Sequence, residues 1–473
     1  MSRLWGFLAV VLPSLAALIA TLQSVDLTYH LRAGSEILDT RAIPAIDTWT
    51  FTASGLPWTD QQWGAQVLLA GVYHLASWTG LVLLRAVFVA VVFGCLFEAS
   101  RRRGLGVRHA AWLTLAAFAV AAAALSLRPQ LFGMAFFAVV LLLVADRRAH
   151  PRRLWIAPLI VLVWANIHGS FFLGPIVLGL AWLEDMHDRA AGGHVALWVA
   201  MTSAVAASLT PLGPAVWSYA VGLSTNPEVT QRITEWQRTS PGDVPGLLFY
   251  ASAAAVALLL FRRGRATPWP TLVWLGLFFI IGAYAARGIG WWALGALLPV
   301  AGMLSQGPAD RPSAPERPAP LVIRRLNTVI AGVLAFAGIA LLPAWRPIDP
   351  GTLAPAGVLA NAPSGITDAL RDLAQPGDRL FNPQVWGSWF EFALPDLPVA
   401  IDSRIEFFPP EVWEAYDVVS SGGAGWKEQL AAWEVTIAVT ASSDQELLAR
   451  LESVGWQSIH HDADGSILVS PDR

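Results

Sequence analysis

The chain is 473 residues long, 55% hydrophobic and 14% charged, with a positive mean hydropathy and abundant tryptophan, which argues against an ordinary soluble globule and for a membrane protein. A formal net charge of −3 gives no electrostatic footing for nucleic acid. The single Cys95, set in an apolar run, leaves no disulfide framework or thiolate metal site.

In chain order, the first apolar run, 4–22, reads as a retained membrane helix, because no small-residue cleavage site followed by a soluble domain succeeds it. A long loop, 23–77, opens on "SVDLTYHLRAGSEILDT", which gathers an aspartate, a histidine, an arginine and a glutamate. A helix over 27–38 would set His30 one turn beyond Asp26 on the same face. Asp47 in "IPAID" and Asp60 in "PWTDQQW" carry turn chemistry. Further apolar runs follow at 80–96, 110–125, 131–145, 154–165, 171–183, 195–209, 247–261, 269–284, 289–304 and 329–342, giving about eleven spans. Several fall short of the roughly 20 residues a span needs, but Trp, Pro, Gly and Ser flanks extend them through the interface.

Arginine sets the expected orientation. It clusters at Arg101, Arg102, Arg103 and Arg108, at Arg147, Arg148, Arg152 and Arg153, at Arg262, Arg263 and Arg265, and at Arg311, Arg317, Arg324 and Arg325. An even number of spans separates each cluster from the next, so all four and the amino terminus are expected in the cytoplasm. The opposite face then receives the first loop, Arg128 in "LSLRPQL", His168 in "WANIHGSF", Glu235 in "NPEVTQRITEW" and Arg287 in "YAARGIGWW". Polar groups beside apolar segments are costly, so these are functional candidates. The stretch "SQGPADRPSAPERPAP" reads as a flexible linker.

After Trp345 the pattern changes to amphipathic helices between short β-branched runs. The expected architecture is an α-helical polytopic membrane domain, 1–345, containing the outer loop 23–77, followed by an extracytoplasmic α/β domain, 346–473. No internal repeat is visible.

An amino-terminal helix, an outer first loop starting with an acidic residue, many spans and an outer α/β domain together resemble the GT-C class of membrane glycosyltransferases. More closely, "DLTYHLRAGSEIL", "IPAIDTWTFTASGLPW", "LRPQLFG", "WANIHGSFFLG" and "VWGSWFEFALPDLPVAIDSRIEFF" are similar to bacterial membrane proteins grouped with that class. The resemblance implies a plasma-membrane enzyme using a polyprenyl-phosphate sugar donor and a glycan, lipid or protein acceptor. The sequence departs from the paired acidic motif of many members, since Leu27 follows Asp26.

On that basis Asp26 is the candidate general base with His30 beside it, and Arg128, Arg287 and His168 are candidates for the donor phosphate. Glu235, Trp386 and Trp389 are candidates for the cavity and acceptor. A divalent cation at Asp26 and Glu235 is conceivable but rests on two carboxylates far apart in sequence. Each residue also has a structural reading: Asp26 as a helix cap, His30 as an interfacial polar residue, Arg128 in a tight turn, His168 in a helix break, Arg287 among interfacial tryptophans and Glu235 on a surface helix. Trp386, Trp389 and Phe390 would pack the domain, with Asp402 and Arg404 as a buried pair. Two other function classes stay open, a lipid or polysaccharide transporter and a catalytically inactive assembly protein for an envelope polymer.

Overall fold

The structure is a computed structural model describing residues 2–305 and 321–473. Most of the expected Pro-rich linker, with Arg311 and Arg317, lies outside the described residues. The chain divides into two compact units, the first comprising Met1–Ala20 and Val82–Leu342, the second Thr21–Leu81 and Pro343–Arg473. The long first loop, expected with the membrane helices, groups with the carboxyl-terminal segment.

In chain order the helices are α1 (Ser2–Ile19), α2 (Ser24–Thr40), α3 (Trp63–Arg102), α4 (Val107–Ala121), α5 (Pro129–Asp146), α6 (Ala157–Ala165), α7 (Leu173–His187) and α8 (His194–Ala206). They continue as α9 (Ala215–Thr225), α10 (Pro227–Arg232), α11 (Val244–Arg263), α12 (Trp269–Tyr284), α13 (Ile289–Gly295), α14 (Leu297–Ser305) and α15 (Leu321–Ala340). Among the described residues seven helical stretches are long and apolar enough to cross a membrane, and three shorter apolar helices, at Leu4–Ile19, α8 and α12, accompany them. The chain is a multi-pass membrane protein. The expected run 154–165 is a 3-10 turn, Pro151–Ile156, leading into the nine-residue α6, whose first turn carries Pro158.

Small residues let the helices of the first unit approach closely. A Cβ on Gly282 would lie 2.4 Å from the Phe249 ring, and one on Gly295 would lie 2.5 Å from Phe278. Phe137 packs against Trp164, Phe278 and Trp291 at centroid distances of 6.3, 5.6 and 5.6 Å, so aromatic rings fill the core that the small residues open. At one end of this unit arginines interlock the helix termini: Arg147 meets Asp185 at 2.9 Å and Glu184 at 3.0 Å, Arg103 meets Glu184 at 2.8 Å, and Arg102 meets Asp146 at 2.7 Å.

Helix α3 runs from one unit into the other and breaks at Ala76 and Ser77, the latter at φ 50°. Within the second unit a parallel two-residue pair joins β1 (Leu22–Gln23) to β2 (Leu359–Ala360). A four-stranded sheet follows in the order β3-β4-β6-β5, with β3 (Leu380–Phe381) parallel to β4 (Ile437–Ala441), and β6 (Gly465–Val469) antiparallel to both β4 and β5 (Gln457–His461). Helices α16 (Ser364–Leu373), α17 (Gln384–Ala393), α18 (Pro410–Ser421), α19 (Trp426–Ala432) and α20 (Gln445–Ser453) complete it. The stretch "LPVAIDSRI", expected to be strand-like, is irregular and makes only isolated bridges through Val399, to Thr50 and Leu380.

Candidate functional site

In the first unit three connecting segments meet at the end opposite the interlocked arginines. Arg128 is the N-cap of α5, and Pro129 opens that helix where the missing N–H costs nothing. The Arg128 guanidinium donates to the Ser126 hydroxyl at 3.0 Å and pairs with Glu235, which lies in a 3-10 turn at Thr234–Trp236. Arg287 donates to Gln130 Oε1 at 2.9 Å and lies 5.2 Å from the centroid of the Trp236 ring. The backbone closes the same junction through the Ala286 amide and the Gln237 carbonyl, 3.0 Å apart. Arg128, Glu235 and Arg287, far apart in sequence, are thereby brought to the positive end of one helix. Gln130 and Trp236, which sequence reasoning did not assign a role, complete the junction.

His168 stands where α6 ends and a 3-10 turn begins, in extended backbone conformation. Its Nδ1 accepts from the Ser170 amide at 3.2 Å and lies 2.7 Å from the Ser170 hydroxyl, which itself accepts from Trp164 Nε1 at 3.2 Å. With Nδ1 accepting, the neutral imidazole tautomer is the one protonated on Nε2. Gly133, one turn along α5 from Arg128, makes room for this cluster: a Cβ there would lie 2.8 Å from Ser170 Oγ and from Trp164 Nε1. Arg85 also escaped the sequence reading. It is buried in α3 and donates to the Ala20 carbonyl just past the end of α1, where a cation suits the helix dipole.

Asp26 and His30 belong to the second unit. Helix α2 is longer than expected, its N-cap is Gln23, and Asp26 falls in its first turn. Asp26 is therefore not the cap, although its charge still complements the helix dipole. The residues before it are held firmly: Ser24 Oγ donates to the carbonyls of Ala360 at 2.9 Å and Asn361 at 2.5 Å, and Ser403 Oγ donates to the Val25 carbonyl at 2.6 Å. His30 is 2% exposed, with Nδ1 3.4 Å from Gln66 Nε2, which donates to Asp60 Oδ1 at 2.9 Å. Burial pushes the Asp60 carboxyl up to about 7, and its Oδ2 and Gln66 Oε1 are buried without partners among the described residues.

A second buried cluster centres on Arg404. Its guanidinium contacts Asp402 at 2.5 and 2.8 Å and Asp47 at 2.6 Å, and it faces the rings of Trp49, Trp58 and Phe407 at 4.4, 4.6 and 4.7 Å. Burial lowers its pKa, but Asp402, Glu391 and Asp47 outweigh that and hold it above the ordinary value. Glu391 Oε1 is 3.9 Å from Arg404, and burial together with the Asp402 carboxylate pushes its pKa well above the usual range. The Asp402–Arg404 pair thus extends into a larger network. Trp386 and Trp389, candidates for an acceptor platform, are 8% and 0% exposed. Trp389 donates to Thr367 Oγ1 at 2.8 Å and packs near Trp78, so its face is used inside the unit rather than offered to a sugar.

Among the described residues no group of three or more His, Cys, Asp and Glu side chains is arranged to hold a metal ion, and Glu235 is engaged by Arg128.

Known structures share this architecture. The archaeal oligosaccharyltransferase AglB from Archaeoglobus fulgidus, in complex with an inhibitory peptide and a dolichol-phosphate, superposes with a TM-score of 0.57 at 12% identity, covering 92% of this chain and 69% of that one. The crystal structure of ArnT from Cupriavidus metallidurans bound to undecaprenyl phosphate superposes with a TM-score of 0.52 at 16% identity, covering 98% of this chain and 97% of that one. No protein-family profile matches the chain, and no curated protein matches it in sequence. The chain has the GT-C fold that the oligosaccharyltransferase and ArnT share.

Proposed function

We propose that the protein is an integral membrane glycosyltransferase that moves a sugar from a polyprenyl-phosphate donor to an extracytoplasmic acceptor, with inversion at the anomeric carbon. The observation that carries this reading is the junction of Arg128 and Arg287 at the amino-terminal turn of α5, where a helix end and two guanidiniums favour a phosphate. The fold adds weight, because solved proteins that share it are bound to dolichol-phosphate and to undecaprenyl phosphate.

In this reaction the acceptor hydroxyl gives its proton to the Asp26 carboxylate as its oxygen bonds to the anomeric carbon. The bond from that carbon to the donor phosphate breaks on the opposite face, which inverts the centre. Arg128 and Arg287 hold the departing phosphate, and His168 donates from Nε2. Glu235 neutralises Arg128 until the phosphate takes its place. The amino terminus is cytoplasmic, and 346–473 lies outside.

Purified protein incubated with a panel of polyprenyl-phosphate sugars and candidate acceptors tests both roles. Asp26→Asn keeps size and helix position but removes basicity, so turnover is expected to disappear while donor binding stays within about twofold. Arg128→Gln is expected to weaken polyprenyl-phosphate binding by roughly 1.5–3 kcal/mol. Near-full turnover in Asp26→Asn would remove that residue as base. Unchanged lipid affinity in Arg128→Gln would remove the phosphate assignment.

A further inference from the structure

At the arginine-rich end of the first unit the helix termini enclose a cleft that the proposed reaction does not use. Arg103 follows α3 into it, Glu184 and Asp188 reach it from the end of α7, Arg263 from the end of α11, and Thr267 and Thr271 from the start of α12. The two carboxylates already have cations: Glu184 is paired with Arg103 at 2.8 Å and Arg147 at 3.0 Å, and Asp188 with Arg148 at 2.7 Å. Arg263 donates to the Met303 carbonyl beside the cleft.

What remains is a set of unused hydrogen-bonding groups. Arg103 Nε and Thr267 Oγ1 are buried with no partner among the described residues. Thr271, 8% exposed, lines the same cleft. Helix α12 opens on the same cleft with Pro268 as N-cap and no side-chain cap, so its positive end points there unneutralised. Buried polar groups are rarely left unpaired, and two around one cleft indicate an occupant that accepts hydrogen bonds. Several acceptor oxygens on one compact anion satisfy a guanidinium, two hydroxyls and a helix amino terminus together.

We propose that this cleft binds a phosphate group, carried by an anionic lipid headgroup or present as free phosphate. Its position suits either source. The cleft lies where membrane helices end, and Trp269 beside it is half exposed with its ring 6.3 Å from that of His187, as an aromatic at headgroup depth would be. The site is independent of glycosyl transfer and uses neither Arg128 nor Arg287.

Native mass spectrometry of the delipidated full-length protein tests it with three probes: phosphatidylglycerol, diacylglycerol and inorganic phosphate. The Thr267→Val/Thr271→Val variant removes two hydroxyls without changing shape or breaking an ion pair, and Arg103→Gln removes the guanidinium. Phosphatidylglycerol is expected to bind the wild type and to bind both variants about tenfold or more weakly, with diacylglycerol binding unchanged. The same dependence for inorganic phosphate alone would assign the cleft to a free anion. Equal binding of both phosphates to wild type and to the threonine variant would overturn the proposal, whatever the arginine variant does to folding.

Discussion

Asp47 accepts from the amide of Thr50 at 3.0 Å and from its hydroxyl at 2.7 Å, the turn role its local sequence announces, and also from a guanidinium 357 residues further on. Asp60 shows the same doubling. Its Oδ1 accepts from the Gln62 amide at 3.2 Å, as turn chemistry predicts, yet its other oxygen is buried without a partner among the described residues. A burial-raised carboxyl of about 7 makes stability depend on pH with a definite sign. The folded chain holds a proton that the unfolded chain releases near pH 4, so this contribution is full below that value and is lost as pH rises through about 7. The difference is on the order of 4 kcal/mol at most. Asp60→Asn is therefore expected to match the wild type near pH 4 and to exceed it in stability above pH 7, as read from thermal unfolding across that range. Parallel pH profiles for the two proteins would show that Asp60 is not protonated in the folded state. Local sequence reveals such turn acids because their bonds span two or three residues. Arg404 and Gln66 are invisible to it because their partners are set by tertiary packing.

At the scale of elements, a helix over 27–38 was expected within the first loop and α2 extends it at both ends, while the break in α3 at Ser77 falls where that loop was expected to end. What periodicity could not supply was the partner. Helix α2 packs on α17, and Arg32 donates to the Glu391 carbonyl at 2.7 Å across that contact. Its other side meets the start of α3, where a Cβ on Gly34 would lie 2.0 Å from the Gln66 carbonyl oxygen and 2.8 Å from Ala70 Cβ. Gly34→Ala is expected to destabilise the second unit by about 1–3 kcal/mol, because backbone must move to admit the methyl. Gly71→Ala is the control: nothing lies within 4 Å of its Cβ position, so the gain in helix propensity stands alone. A melting temperature for Gly34→Ala equal to or above that of Gly71→Ala would show that α2 and α3 do not pack this closely. "VWGSWFEF" was expected to pack the domain, but the group that takes the Trp389 N–H, Thr367 Oγ1, is set by the fold and not by local sequence.

For the whole molecule, the arginine clusters were read as an address, and within the first unit they also prove to be a structural seam. Contacts place three of them at one end of that unit: Arg103 and Arg147 share Glu184, and Arg103 and Arg263 line one cleft. The contact of Arg147 with Asp185 brings the end of α5 to the end of α7, so the chain between them, with the short α6, travels away from that end and back. Pairing with acids does not cancel the topological signal, since lysine and arginine direct insertion while aspartate and glutamate contribute little. Reporter fusions after Arg103 and after Arg148 are expected to report the cytoplasm, and a fusion after Trp345 the opposite side. A cytoplasmic signal after Trp345 would place Asp26, whose helix is clamped by Ala360, Asn361 and Ser403 in the same unit, on the wrong side for an extracytoplasmic acceptor, and the proposed chemistry would fall with it.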